Sequence, residues 1–357
     1  MSDFTQTVEE IKKEIRETPY HKGTEHHIGK LRARLARIED KIYEAGSKGG
    51  GGIGGGYAVK KTGDASVVLV GPPSAGKSTL LNKLTNAQSK VAAYAFTTTT
   101  VIPGMMLYKD AYIQIFDIPG LIEGASKGKG RGKEVLSVAR NSDLLIIMSD
   151  IQRENFIEKM LQELEAVGIR INKVRPNVLI DKKPTGGITI HTNIKQDLSD
   201  LTIKEIASEM GIKNADISVK ERITIDSLID SFSTSRVYIP AIFVVNKIDT
   251  VHRSLSTDRY LPISAEKETG LENLKEEIWK KLQLVRIFLV HPDEEPNFEN
   301  PIIIKEGDSL ANVAEKLGTN FSGKKLAKIW GNSARFPGQE VPTSIKVKDE
   351  MQIRFLT

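Results

Sequence analysis

Apolar residues recur at two different periods along the chain, and the change between them marks a change of architecture. Ile28, Leu31, Leu35, Ile38 and Ile42 fall three and four residues apart, which predicts a helix with one apolar face inside a charged, helical stretch spanning residues 1–45. That face needs a partner. From Ala65 the pattern becomes short unbroken apolar runs, Val67–Val70, Tyr112–Phe116, Leu144–Met148 and Ala241–Val245, separated by helical stretches. Runs apolar on both faces predict buried strands of a mostly parallel sheet covered by helices on either side. More than ninety residues separate the third run from the fourth, far more than one crossover helix requires. Phe156–Val167 supplies that helix. Beyond it, Val174–Thr192 reads as a polar hairpin around Pro184, Gly186 and Gly187, followed by helical patterns near Ile203–Met210 and Ile225–Phe232. A small inserted α+β domain over 170–236 is expected.

After an amphipathic helix over Leu271–Leu284, strand-like Ile287–Val290, Ile302–Ile304 and Met351–Leu356 surround a helix over Leu310–Leu317. This predicts a separate β-rich domain. The expected layout is an N-terminal helical segment with a glycine-rich stretch over 1–60, a core domain in two parts over 61–169 and 237–286, the insert over 170–236, and the last domain over 287–357. Gly46–Tyr57 holds eight glycines in twelve residues, a composition that resists ordering unless something approaches it closely, so both a linker and a wrapped segment stay open.

At 357 residues the chain has room for two or three domains. The absence of cysteine excludes a disulfide scaffold, a thiolate metal site and a cysteine nucleophile. No apolar run approaches a bilayer span, and a cytoplasmic protein without membrane contact is expected. The net charge of +5 permits an anionic partner without identifying one.

Candidate chemistry gathers at the ends of the predicted strands. Gly71-Pro72-Pro73-Ser74-Ala75-Gly76-Lys77-Ser78 has the spacing G-x-x-x-x-G-K-[ST] between a strand and a helix beginning at Thr79. Pro73, Ser74, Ala75, Gly76, Lys77, Ser78 and Thr79 form the expected phosphate cradle. Glycines let backbone N–H groups close on phosphate oxygens, Lys77 neutralises them, and Ser78 offers a hydroxyl to a divalent cation. Asp117-Ile118-Pro119-Gly120 ends the second run, where a carboxylate can hold metal-bound water and the Gly120 N–H can meet a γ-phosphate. Asn246-Lys247-Ile248-Asp249 follows the fourth run, and Ser264-Ala265-Glu266 follows Tyr260–Ile263. The Asp249 carboxylate can accept from guanine N1–H and its exocyclic amine, whereas adenine would leave it unsatisfied. Lys247 would cover the ring, and the Ala265 backbone would meet guanine O6.

In this order the motifs resemble a translation-factor-class GTPase. Ala93–Thr100 (AYAFTTTT) with Ile102-Pro103-Gly104 resembles the first switch of the Obg-related group, and Asp117–Lys133 (DIPGLIEGASKGKGRGK) resembles the second switch of the developmentally regulated GTP-binding (DRG) family. Gly23–Ile38 and Trp330-Gly331-Asn332-Ser333-Ala334-Arg335 extend the likeness over nearly the whole chain, the latter resembling a TGS domain of the β-grasp type. The resemblance implies an α/β protein: a P-loop GTPase domain with a mostly parallel sheet, an N-terminal helical segment, an inserted α+β domain and a C-terminal β-grasp (TGS) domain. It implies GTP and GDP as ligands, Mg²⁺ as cofactor with K⁺ as a second ion to test, and as partners the ribosome or RNA and a family-specific regulatory protein.

Ser78 and Thr98 would then hold the metal, with Asp117 in its outer shell, and Lys77, Thr98 and Gly120 would serve catalysis. Any of Thr97–Thr100 fits the metal position, since four threonines run together. Two departures bear on mechanism. Leu121 stands where a water-orienting glutamine would follow the glycine, which implies slow intrinsic turnover. Ser74 stands where some relatives carry an asparagine suited to K⁺. Lys127, Lys129, Arg131 and Lys133 read either as a solvated loop or as a nucleotide-gated basic surface. Lys324, Lys325 and Lys328 near Trp330 and Arg335 suit RNA, a protein partner or plain surface equally. Two functions follow: a GTP-hydrolysing switch in translation, or a nucleotide-sensing binding module whose turnover is incidental. A small-molecule kinase would leave Asn246–Asp249 and Ser264–Glu266 without work.

Overall fold

The computed structural model describes residues 2–47, 62–85, 102–118, 138–153, 155–250, 259–292, 294–331 and 333–356. In chain order these form α1 (Ser2–Glu17), α2 (Glu25–Ser47), β1 (Ala65–Val70), α3 (Lys77–Thr85), β2 (Ile102–Tyr108), β3 (Ala111–Asp117), β4 (Leu144–Asp150) and α4 (Phe156–Ala166). There follow β5 (Ile169–Ile171), β6 (Val178–Lys182), β7 (Ile188–Thr192), α5 (Asp200–Glu209), β8 (Ala215–Val219), α6 (Ile225–Phe232), β9 (Val237–Ile239) and β10 (Ala241–Asn246). The last are β11 (Leu261–Pro262), α7 (Leu271–Leu282), β12 (Leu284–Leu289), β13 (Pro301–Lys305), α8 (Leu310–Leu317), β14 (Leu326–Trp330), β15 (Gln339–Pro342) and β16 (Met351–Phe355). They cluster into two units, one of residues 1–56 with 168–238 and one of 57–167 with 239–357.

In the second unit, six strands run in the order β11-β10-β4-β1-β3-β2. All pairs are parallel except β2 with β3. β1 and β4 are buried at every position, which is why they read as unbroken apolar runs rather than alternating ones. Leu80, Leu81 and Leu84 of α3 pack on one side with Leu274 and Ile278 of α7 in the same core. Removing each such side chain from water contributes about 1.5–3 kcal/mol. β2 is a strand that the reading of Ile102-Pro103-Gly104 as a switch tail did not anticipate. Its Gly104 is pressed against α3, since a Cβ there would stand 2.5 Å from Thr85 Cγ2.

A five-stranded sheet, β13-β12-β16-β14-β15, completes this unit, with β12 parallel to β16 and the other pairs antiparallel. Its strand order and the position of α8 are those of a β-grasp. α8 starts at a capping box between Ser309 and Asn312. Short β14 and β15 escape the apolar pattern because only Ala327, Ile329 and Val341 on them are buried. β12 begins at Leu284, ahead of the expected Ile287, because a single left-handed residue, Gln283 (φ 53°), turns α7 directly into it. Leu284 then packs in the core of the six-stranded sheet and Val285 in that of the five-stranded one. Two carboxylates fasten the same boundary. Asp143 accepts from Ser66 N–H at 3.0 Å and from Lys305 at 3.3 Å, and Asp64 from Tyr112 N–H at 3.0 Å and Lys316 at 3.0 Å.

In the first unit, α2 packs on α5 and α6 through Ala33, Ala36, Ile203, Ile206 and Leu228. Gly29 sets the approach, because a Cβ there would lie 3.1 Å from Ile206 Cδ1. Ile28 and Leu31 are buried as the spacing predicts, with Leu35 and Ile38 half-buried. His27 Nε2 and Glu14 Oε1, 2.9 Å apart, join α2 to α1. The expected hairpin over Val174–Thr192 is corrected: β6 and β7 do not pair with each other but flank β8, antiparallel and parallel respectively. β8 takes the middle because Ala215, Ile217 and Val219 are fully buried, whereas β6 and β7 bury only Val178, Ile180, Ile188 and Ile190 in part. Among the described residues no helix is long and apolar enough to cross a membrane.

Candidate active site

The parallel register brings the carboxyl ends of β1, β3, β4, β10 and β11 to one edge of the six-stranded sheet, where a doubly wound α/β sheet binds ligands. The segment leaving β1 bends sharply into α3. Gly71 passes so near β4 that a Cβ would fall 2.3 Å from Met148 O, and Gly76 (φ +92°) would place one 2.3 Å from Asn246 Nδ2. Neither position admits a side chain. Ser74 also adopts a left-handed conformation, φ 62°. This loop turns the first N–H groups of α3, which have no intrahelical acceptors, and the positive end of the helix dipole toward the same point.

Lys77 is only 8% exposed, and its ammonium donates to Gly71 O and Pro72 O, each at 3.1 Å. Burial pushes its pKa below the ordinary 10.5, Asp117 works against that shift, and nearby Arg153 adds to it. Ser78 Oγ donates to Asp117 Oδ2 at 2.5 Å. The other oxygen of that buried carboxylate, Oδ1, has no hydrogen-bond partner among the described residues. A hydroxyl and a carboxylate oxygen, both hard, with one lone-pair face unspent in a buried place, are a donor set that fits Mg²⁺. Among the described residues no group of three or more acidic or histidine side chains could hold a metal by itself.

On the other side of the loop, Asn246 is 2% exposed and bridges two segments. Its Nδ2 donates to Ala75 O at 2.8 Å, and its Oδ1 accepts from Ala265 N–H at 2.9 Å. The phosphate loop and the Ser264–Glu266 segment therefore share one amide. Lys247 is left-handed (φ 62°), and Thr250 Oγ1 donates to its carbonyl at 2.7 Å, closing a short turn that leaves Asp249 exposed. Ser264 N–H bonds Thr269 O at 3.0 Å, and Lys267 N–H bonds Ser264 Oγ at 3.1 Å, which fixes the other turn.

One pair was not foreseen. Asp150 ends β4 opposite Asn246, and Arg153 Nε donates to its Oδ2 at 2.9 Å while Nη2 reaches Pro73 O at 3.1 Å. Burial alone would raise Asp150, but Arg153 and the Gln152 N–H hold it below the ordinary carboxylate value. The pair buttresses the back of the loop. Its only trace in the sequence is an acid at a strand end followed by a base three residues on.

Pro73, Ser74, Ala75, Gly76, Lys77, Ser78, Thr79, Asp117, Asn246, Lys247, Asp249, Ser264, Ala265 and Glu266 thus occupy one edge of one sheet. Thr98, Gly120, Leu121 and the Lys127–Lys133 basic run lie outside the described residues.

Residues 66–183 match a family model described as a 50S ribosome-binding GTPase, and residues 185–284 match one described as the C-terminal region of that domain. Over 96% of this chain and 90% of the relative, the sequence is 43% identical to a GTP-binding protein of Methanocaldococcus jannaschii. It is 41% identical to developmentally-regulated G-protein 3 of Arabidopsis thaliana over 98% of each chain. It is 40% identical to developmentally-regulated GTP-binding protein 1 of Xenopus laevis over 100% of each. Among solved structures, the YchF GTPase of Schizosaccharomyces pombe covers 83% of this chain and 99% of its own at 16% identity. Its TM-score of 0.42 is too low to carry an argument.

Proposed function

Because the chain belongs to the developmentally regulated GTP-binding family and is a GTPase, we propose that it is a Mg²⁺-dependent switch that hydrolyses GTP to GDP and phosphate and acts with the ribosome. The observation that supports the nucleotide part is the Asn246 bridge, which ties the Gly71–Ser78 loop to the Ser264–Glu266 segment. Asp249 reads the N1–H and amine of guanine, Lys247 covers its face and the Ala265 N–H meets O6. Lys77 leaves its loop carbonyls for the β- and γ-phosphates, which then supply its counter-charge. The N–H groups of Ser74 through Thr79 hold the remaining oxygens without reorganising, and that preorganisation lowers the barrier.

Ser78 and Thr98 are the proposed metal ligands, with Asp117 positioned behind them and Gly120 presenting its N–H to the γ-phosphate. Bound there, Mg²⁺ neutralises charge on the transferred phosphoryl group. K⁺ is a second cation for this site, and equal hydrolysis in K⁺ and Na⁺ at matched ionic strength would remove it. Leu121 has no group to orient water, so turnover is slow until a partner completes the site.

The ribosome is supported by the description of the family matching residues 66–183 and by the basic run Lys127, Lys129, Arg131 and Lys133 beside the second switch motif. The C-terminal β-grasp sheet is proposed to be a TGS domain and, with the insert, to carry partner contacts, including a regulatory protein of the family. Leu121 also favours a second reading, a nucleotide sensor with incidental hydrolysis. Co-sedimentation with ribosomes in GDP, GTP and a nonhydrolysable analogue tests the switch. Equal sedimentation in all three would refute it, and a binding-competent, hydrolysis-dead variant that still supports function would select the sensor.

A further inference from the structure

A cleft of about 480 Å³ opens in the first unit, lined from α1, α2, β5, α6 and the residue preceding β9. Its volume falls within the range of small-ligand pockets. The floor is ionic and buried. Arg170 grips both oxygens of Asp230 at 2.5 and 2.7 Å, and Arg236 reaches the same aspartate at 3.1 Å and Asp40 at 3.7 Å. The side chains of Arg170, Asp230 and Arg236 are 14%, 10% and 7% exposed. Holding such charges out of water costs more than an apolar floor of the same shape, so stability alone does not account for them.

The mouth is cationic. Lys12 and Arg16 stand one turn apart on α1 and both face the cleft. Neither has an acid within ion-pair distance among the described residues. Arg32, across from them on α2, is occupied by both oxygens of Asp226 at 2.9 and 2.8 Å. Like charges one turn apart on a helix repel unless something negative lies between them. Glu39, also in the lining, sits among Arg236, Lys12, Asp40 and Arg170, and burial pushes its carboxyl above the ordinary value. A desolvated acid beside specific charges in a cleft is the pattern of a ligand site.

We propose that this cleft is a second anion site, built wholly from the first unit, that takes a phosphoryl group between Lys12 and Arg16 over the Arg170–Asp230–Arg236 floor. Two cations without ion-pair partners match a phosphate dianion better than a single carboxylate. The lining contains no aromatic ring, so a base has no platform to stack on and recognition is confined to the anion. Glu39 opposes the same charge and limits affinity. A free phosphoryl compound and an RNA backbone offer the same chemistry.

The test uses the full chain saturated with GDP, which fills the phosphate loop, and titrates inorganic pyrophosphate calorimetrically at low ionic strength. Wild type takes up pyrophosphate saturably. Lys12→Ala with Arg16→Ala weakens uptake by about ten-fold or more, since two charge-assisted contacts are lost. Glu39→Gln tightens uptake, an effect that a merely structural role for the cleft would not produce. Both changes leave GTP hydrolysis unchanged, and the double alanine variant keeps the melting temperature because alanine suits an exposed helix position; Glu39→Gln removes an ion pair at 3.9 Å to Arg236, so its uptake is measured well below its own melting temperature. Competition by a short oligoribonucleotide would assign the site to RNA, and its absence would assign it to free phosphoryl compounds. No saturable uptake by wild type, or an affinity indifferent to both variants, overturns the proposal.

Discussion

Asn246→Asp is the most direct perturbation of the bridge between the phosphate loop and the Ser264–Glu266 segment. The variant keeps an oxygen to accept from Ala265 N–H, now at 2.9 Å, but turns the donor that faces Ala75 O at 2.8 Å into a second oxygen. The side chain cannot turn aside, because Gly76 leaves too little space for even a methyl group beside Nδ2. A buried carbonyl stripped of its donor costs about 1–3 kcal/mol, and an anion pressed against it without a counter-charge adds a similar amount. The loss is therefore about 2–6 kcal/mol, or roughly one and a half to four decades in an equilibrium constant. It appears as weaker nucleotide binding if the ligand closes the bridge, and as lower stability if the free protein already holds it. Calorimetric GDP titration and urea unfolding of nucleotide-free protein measure both legs of that cycle. A GDP affinity within about three-fold of wild type, together with an unfolding free energy within about 0.5 kcal/mol, would show that the bridge contributes nothing.

Asp249→Asn exchanges an acceptor for an amide able to meet a carbonyl, so guanine nucleotides bind at least about ten-fold more weakly and xanthine nucleotides improve; competition binding checks both, and an unchanged preference refutes the base pose. Lys77, held below 10.5 by burial, loses its proton in the free protein at lower pH than an ordinary lysine. Phosphates raise its pKa again, so GDP binding takes up protons at alkaline pH, and there the binding enthalpy should vary with buffer ionisation heat in wild type and not in Lys77→Arg. Burial would raise Asp349, but Arg286, which donates to it from N–H at 2.7 Å and from Nη2 at 3.1 Å, holds it below the ordinary 3.8. Its contribution is therefore present above pH 3.8 and lost as the pH falls through the lower folded value. Asp349→Asn should lower neutral-pH stability by about 1 kcal/mol after solvent screening and flatten the acid limb of the stability curve; an identical acid limb in wild type and variant would refute the pairing.

The six-stranded sheet was legible because its inner strands lie between helices and carry apolar residues on both faces, as Val67–Val70 and Leu144–Met148 do. The position of the Gly71–Ser78 and Asn246–Asp249 loops was legible because each motif follows directly on an unbroken apolar run, and the structure places both at strand carboxyl ends. The insert was harder to read. Half-burial of β6 and β7 gives weak alternation, and nothing local says that β8, arriving after a helix, separates them. Arg153 was illegible for a different reason: the carbonyl that it supports, Pro73 O, lies eighty residues away. The same distance problem hides Lys305 and Lys316, whose acids are 162 and 252 residues earlier.

The junction at Gln283 has a consequence for dissection and for signalling. A cut there would not release a bead from a string, because Leu284 and Ile303 are bricks in the GTPase wall and would leave holes in it. Deletion of the C-terminal sheet is expected to yield an insoluble remnant rather than a smaller working enzyme, so truncation experiments would confuse loss of partner contacts with collapse. Conversely, the covalent turn at Gln283 and the shared packing of Leu284 and Ile303, more than the half-exposed Lys305–Asp143 pair, are what would carry a displacement of that sheet into the six-stranded one.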